Sequence, residues 1–267
     1  TKSHDMILPK PPHCQHDQEY KIPQLVLLDR DGVINEDVGA PGVLHPQQLI
    51  LTPRAGQAIA KLKQAGCAIA MITNQSCVGK GLITPAQLDS IHDHLQDLLL
   101  QEHPDARIDQ IYSCTSFHHD AHVGSGNVNH NNNNVKDDPR RKPQPGMIYE
   151  AMADFGLTST SSTQECCCWV GDTVTDLQAA TFAGIQHRYL VATGYGQGLL
   201  RGLAPPLPPC PPIWMESLDI PEMDPSLLKA TTAATTTTTT TLATTLPFYY
   251  CQNLAHAVDW ILEPHLV

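Results

Sequence analysis

This chain is short of positive charge. Its 267 residues carry 16 Lys and Arg against 27 Asp and Glu, a formal net charge of −11. No basic cluster exceeds Arg140-Arg141-Lys142. Nucleic-acid backbones are gripped by many clustered cations, so no nucleic-acid partner is expected. Long apolar runs are missing too. Nothing approaches the roughly 20 residues that span a bilayer, and residues 1–23 are polar without a signal-peptide core. The expected partner is a small molecule rather than a membrane, for a monomer in the cytoplasm. Because the chain starts at Thr1, organellar import stays open. A disulfide framework is also lacking. Nine cysteines form an odd, scattered set, several inside apolar strand-like runs, which points to a reducing compartment.

Against these absences stands Leu25-Val26-Leu27-Leu28, an apolar run that ends at once in Asp29-Arg30-Asp31-Gly32. The run reads as a buried parallel strand, whose carboxyl end is where open α/β sheets place ligands. Residues i and i+2 of an extended segment point the same way, so Asp29 and Asp31 converge on one small volume. Two carboxylates there repel unless a proton or cation lies between them, which predicts a hard metal such as Mg²⁺. An ordinary Asp-Gly turn closing a strand is the competing explanation.

Downstream, strands and helices alternate. Thr52-Pro53 and Thr84-Pro85 each supply an N-cap followed by proline, opening helices over 53–64 and 85–101. Strands are expected at 67–73, 108–113, 166–171 and 188–192, with further helices at 145–155 and 172–182. The rhythm predicts an α/β fold, a doubly wound parallel sheet with helices on both faces. Two stretches interrupt it. Residues 118–138 are rich in His, Gly and Asn, and about 197–247 pass from prolines to an unbroken Thr235 to Thr241. Such compositions bury too little apolar surface to offset ordering entropy, so loose loops are expected. Phe248-Tyr249-Tyr250 and an amphipathic 254–262 then resume, the strand and helix that the sheet edge still needs. An unrelated docking helix is the alternative. The expected organisation is a polar extension over 1–23, a core over 24–200, an insertion over 201–247 and a closing strand and helix over 248–267.

Three more motifs sit at element ends. Thr73-Asn74-Gln75-Ser76 follows the second strand, where hydroxyl, amide and backbone donors can meet a phosphoryl oxygen. Arg141-Lys142-Pro143 precedes a helix, and a cation placed there opposes the macrodipole unless it faces an anion. Gly171-Asp172 closes an apolar strand, and Asp176 lies one helical turn further on the same face. Turn chemistry, a solvated loop and acidic helix capping would explain these one at a time.

Taken in order, strand–DxDG, strand–TNQ, RKP–helix and strand–GDxxxD resemble the haloacid-dehalogenase-like (HAD) phosphatase superfamily. The resemblance covers roughly residues 24–196. The strings DRDGVIN, TNQS and RKPxPGM are similar to a branch of small phosphatases acting on heptose bisphosphate or histidinol phosphate. It implies a Mg²⁺-dependent phosphatase working through an aspartyl-phosphate, with Asp29 as nucleophile. Asp31 would protonate the leaving alkoxide and then deprotonate water, holding a proton at neutral pH while metal-bound Asp29 stays ionised. Mg²⁺ would be held by Asp29, the Asp31 carbonyl, Asp172 and waters, one of them on Asp176. Thr73 and the Asn74 backbone would hold phosphoryl oxygens, Lys142 would neutralise charge, and Arg141 and Asn35 would touch the rest of the substrate.

Relatives in this branch commonly carry a zinc loop, Cys-x-His after the third strand and Cys-x-Cys before Arg-Lys-Pro. Here Cys114 is followed by His118, His119 and His122, but Asp138 and Arg140 occupy the later cysteine positions. Tetrahedral zinc needs four soft or borderline ligands, so zinc is not expected. A sugar phosphate of the heptose-bisphosphate kind is the expected substrate. Histidinol phosphate is the rival, a nucleic-acid 3′-phosphate is a more distant one, and a catalytically silent scaffold is the reading of another class.

Overall fold

The computed structural model describes residues 21–117, 138–157, 166–200, 212–215 and 244–262. Its centre is β1 (Leu25–Leu28), four apolar residues buried along their whole length. A strand with no polar face is stable only when both faces are covered. It pairs in parallel with β2 (Ala68–Asn74) on one side and β4 (Cys167–Gly171) on the other. β3 (Gln110–Cys114) flanks β2, and β5 (His187–Val191) flanks β4. Beyond β5 come β7 (Phe248–Cys251) in parallel and β6 (Ile213–Met215) in antiparallel, giving the order β3-β2-β1-β4-β5-β7-β6.

Side-chain alternation divides the core between the two faces. Val26 and Leu28 pack with Ile69, Met71, Ile59, Ile91, Leu95 and Val258. These come partly from α1 (Ala55–Gln64), α3 (Pro85–Glu102) and α7 (Leu254–Leu262). Leu25 and Leu27 pack the other way, with Ile72, Trp169, Ile148, Met152 and Ala180. Here the cover is α4 (Gly146–Asp154) and α5 (Val174–Phe182). Short α2 (Ser76–Gly79) and α6 (Gly196–Leu199) follow β2 and β5. This is the doubly wound α/β arrangement of the sequence reading. Among the described residues, no helix is long and apolar enough to cross a membrane.

Local signals fared unevenly. Thr84 caps α3 as a full capping box: its hydroxyl accepts from Gln87 N at 3.2 Å, and Gln87 Oε1 accepts from Thr84 N at 2.8 Å. Thr52 does not cap α1. Its hydroxyl donates to Val33 O at 2.6 Å and Ile34 O at 3.2 Å, and α1 starts later, after Arg54 at φ 64°. A tertiary acceptor outcompeted the local one. The expected loose stretch 197–247 also holds structure, namely most of α6 and all of β6. Trp214 packs against Tyr249 with ring centroids 4.6 Å apart, and Met215 is buried with Leu190 and Phe248. Averaging composition over fifty residues hid one short apolar segment.

Strand β7 and helix α7 lie against the core that β1 anchors. Tyr249 stacks on Tyr189 of β5 at 5.1 Å and meets Trp260 of α7 at 6.0 Å. Truncating a buried aromatic of this kind costs about 3–5 kcal/mol. Tyr249→Ala is expected to lower the urea-unfolding free energy by that amount, in one transition shared with β1 to β5. A variant that melted the C-terminal segment separately would show instead that it docks as an independent unit.

Candidate active site

Motifs far apart in sequence meet where β1, β2 and β4 end. A cavity of ≈ 150 Å³ opens there, lined by Asp29, Asp31, Thr73, Asn74, Lys142, Asp172 and Asp176, with Asp37, Thr173, Thr175 and Tyr195 around them. Parallel strands place their carboxyl ends on one edge, which is why loops far apart in the chain arrive together.

Lys142 is the hub. Its buried ammonium lies 2.7 Å from Asp29 Oδ1 and 2.7 Å from Asp176 Oδ1, and donates to the Ile72 carbonyl at 3.0 Å. Burial alone would lower its pKa, but Asp176 and Asp29 outweigh that and hold it well above the ordinary lysine value. The loop is fixed by Asn74, whose amide donates to Lys142 O at 3.0 Å and accepts from Lys142 N at 3.1 Å. The Asn74 side chain thereby joins the second motif to the third.

Asp29 and Asp172 carry the opposite imbalance. Burial, then the Asp176 charge, pushes Asp29 up to about 7 despite Lys142. Burial, Asp176 and Asp29 push Asp172 up to about 9. One ammonium does not balance this group. Carboxylate oxygens of Asp29, Asp172 and Asp176 lie within 4.8 Å of one another. Among the described residues Asp172 Oδ1 is buried with no hydrogen-bond partner, while Oδ2 accepts from Tyr195 N at 2.8 Å. An orphaned oxygen in an acid cluster fits a hard divalent cation. Glycine is required beside it: Gly32 (φ 81°) and Gly194 (φ 61°) both have positive φ, and a Cβ at either would collide with the Asp172 carboxylate.

Asp176 is more fully committed. Its Oδ2 accepts from Asp172 N at 3.2 Å, Thr173 N at 3.0 Å and Thr173 Oγ1 at 2.6 Å, which leaves Oδ1 for Lys142. Capping and site chemistry coincide in this residue, since Thr173 and Asp176 also form the capping box of α5.

Asp31 differs from the expectation of a proton-holding carboxyl. Burial pushes its pKa up, but the Arg30 guanidinium and hydrogen bonds from Asn35, Arg30 and Gln75 more than reverse this. Asn35 Nδ2 reaches Oδ1 at 3.0 Å and Gln75 Nε2 reaches Oδ2 at 3.0 Å. In this arrangement it rests as the carboxylate. Asn35, expected to touch the substrate, is fully buried and its Nδ2 is turned toward Asp31. Arg141 is likewise outside the cavity lining, its Nη1 donating to Ser116 O at 2.8 Å. Thr73 lines the cavity, its hydroxyl accepting from Gln75 Nε2 at 2.8 Å. Sequence reading passed over Arg30, Gln75, Asp37, Thr173 and Tyr195 as site residues. Gln75 stood inside the quoted motif, whereas Tyr195 carries no local signal.

Cys114 does not stand alone. Its Sγ lies 2.9 Å from Ser116 Oγ and 3.5 Å from Asp138 Oδ2. His118, His119 and His122 lie outside the described residues.

The chain is similar to known proteins along most of its length. Residues 139–205 match the HAD-hydrolase-like family. A D-glycero-β-D-manno-heptose-1,7-bisphosphate 7-phosphatase of Bordetella bronchiseptica is 34% identical over 177 residues, 66% of this chain and 85% of the relative. The Chlorobaculum tepidum D-glycero-D-manno-heptose-1,7-bisphosphate 7-phosphatase is 30% identical over 175 residues, 65% of this chain and 81% of its own length. Among solved structures, D,D-heptose 1,7-bisphosphate phosphatase from B. bronchiseptica, complexed with magnesium and phosphate, aligns with TM-score 0.59. It is 27% identical, and the alignment covers 90% of this chain and 99% of that one. The chain belongs to the HAD-like phosphatases, in the group that holds these heptose-bisphosphate enzymes. It is a phosphoric monoester hydrolase.

Lys142→Met leaves two buried carboxylates facing each other, and breaking a buried ion pair costs about 3–5 kcal/mol. Urea unfolding of the metal-free variant is expected to show a loss of that size. The pH dependence of stability has its own marker in buried His92, whose pKa falls from 6.5 to about 4 through burial and the Arg30 charge. The unfolded chain binds the proton first, so this contribution is complete above about 6.5 and drains away as pH falls toward about 4. The stability gap between wild type and His92→Gln should narrow over that window, as read from urea midpoints at a series of pH values.

Proposed function

We propose that this enzyme hydrolyses a sugar phosphate of the heptose-bisphosphate kind, through an aspartyl-phosphate on Asp29. The supporting observation is the convergence of Asp29, Asp31, Thr73, Lys142 and Asp172 on one cavity. The named activity of the relatives favours a heptose bisphosphate over histidinol phosphate.

Asp29 Oδ1 accepts from Arg30 N at 2.7 Å as well as contacting Lys142, which leaves Oδ2 to attack phosphorus in line. Thr73 and the Asn74 backbone receive phosphoryl oxygens, and Lys142 balances the charge they bring. Asp31 moves the proton. It gives one to the leaving oxygen as the ester P–O bond breaks, then takes one from the water that attacks the aspartyl-phosphate. Since its resting form is the carboxylate, the water step finds it ready, and the first step draws on a protonated minority or a proton brought with the substrate.

The cation we assign is Mg²⁺, which Asp29, the Asp31 backbone carbonyl and Asp172 would hold, with Asp176 supporting from behind. When bound, it neutralises the acid cluster and polarises the phosphoryl group. No zinc is assigned, because Cys114 is engaged with Ser116 and Asp138, and Asp138 and Arg140 stand where a second thiolate pair would be needed. Residues 201–247 are proposed to be an insertion in one core made of 24–200 and 248–267, and the protein a cytoplasmic monomer.

The test is phosphate release from a heptose bisphosphate and from an aryl phosphate. Release should stop in EDTA, return with Mg²⁺, and fall to background in Asp29→Asn. Turnover that survives this substitution would remove the aspartyl-phosphate mechanism.

A further inference from the structure

Arg30 and His92 are both buried, and the reaction derived above uses neither side chain. A guanidinium at 0% exposure needs an anion, and Arg30 spends its fork on its neighbour. Its Nη2 lies 2.9 Å from Asp31 Oδ2 and 3.0 Å from Oδ1, and its Nε 3.2 Å from Oδ1. The remaining nitrogen, Nη1, meets His92 Nε2 at 3.3 Å. A guanidinium can only donate, so that imidazole nitrogen is the acceptor and the ring is neutral. His92 belongs to α3 and lies among Leu88, Ile91 and Leu95 as a polar residue on a core-facing side. Among the described residues its ring makes no other hydrogen bond.

We infer that Arg30, held in place by His92, is a positioning residue that keeps the Asp31 carboxylate aimed at the leaving oxygen and the attacking water. The inference rests on the proton-transfer reading of Asp31. Asp31 remains 24% exposed and lines the cavity while both its oxygens are gripped from behind. Asn35 and Gln75 add one neutral bond each, which fixes the plane of the carboxylate. Without the His92 acceptor the guanidinium is free to turn about its stem, and the bidentate grip loosens. Displacements of about 1 Å in such a group can cost on the order of 100-fold in rate.

The test compares His92→Leu, which removes the acceptor, with His92→Gln, which keeps one, using the full chain with Mg²⁺. The substrates are a hexose 6-phosphate, whose alkoxide must be protonated, and p-nitrophenyl phosphate, whose phenolate need not be. His92→Leu should lose about 10- to 100-fold in kcat on the hexose phosphate, with KM changed less than about twofold. On the aryl phosphate its first turnover should stay near wild type. A nitrophenolate burst should then appear, because water attack still needs Asp31. His92→Gln should restore most of both. Equal loss of first turnover on both substrates, unchanged kcat, or no rescue by His92→Gln overturns the inference. Should His92→Leu fail to fold, Arg30→Lys carries the same comparison, since it keeps the charge and loses the fork. Asp31→Asn separates the two levels: full activity there removes the Asp31 reading and the positioning role of Arg30 with it. An inactive Asp31→Asn beside an unaffected His92→Leu removes the positioning role alone.

Discussion

A single ammonium between two carboxylates holds the active end of this molecule together. Lys142 reaches Asp29 from β1 and Asp176 from α5 at 2.7 Å each, and takes the Ile72 carbonyl of β2 as its third partner. Three loops that would otherwise bring buried like charges together are joined by one cation. Asn74 fixes the backbone of that lysine, so the tie is covalent on one side and hydrogen-bonded on the other. The price of the arrangement is incomplete neutralisation. Asp29 and Asp172 stay high in pKa, and Asp172 Oδ1 stays without a donor, so the site is built to gain by receiving a cation.

Next to this deficit, Asp31 is oversupplied. Arg30, Asn35 and Gln75 all donate to it, two residues from a carboxylate whose pKa is pushed the other way. Extended geometry sends residues i and i+2 to the same cavity, but their surroundings come from different elements. Asp29 is read by Lys142 and Asp176, whereas Asp31 is read by Arg30 and by the loop after β2. Two identical side chains thereby acquire opposite electrostatic surroundings, which is how one strand end can supply both a nucleophile and a proton carrier.

Strong local signals carried over well. The apolar run of β1, the Thr84 cap of α3 and the parallel rhythm needed no tertiary knowledge, because each is dictated by burial or by nearest-neighbour hydrogen bonds. Weak ones did not. Thr52 looked like a cap and became a donor to Val33 and Ile34. β6 was invisible because proline and threonine dominated its surroundings. Asn35, expected at the substrate, turned inward to Asp31, a choice set by the loop after β1 folding back so that Gly32 N bonds Asn35 O at 2.7 Å.

The sequence by itself determined which side chains stand at strand ends, and hence that acids, a hydroxyl, an amide and a lysine share one edge of a parallel sheet. Strand periodicity and the polarity of a βαβ crossover are sufficient for that. Tertiary structure decided what each of them faces. The burial of Arg30 and His92, the approach of Tyr195 N to Asp172, and the splitting of Asp29 from Asp31 depend on helices and loops packing from distant parts of the chain. Electrostatic surroundings are a property of three-dimensional neighbours, and no window of sequence contains them.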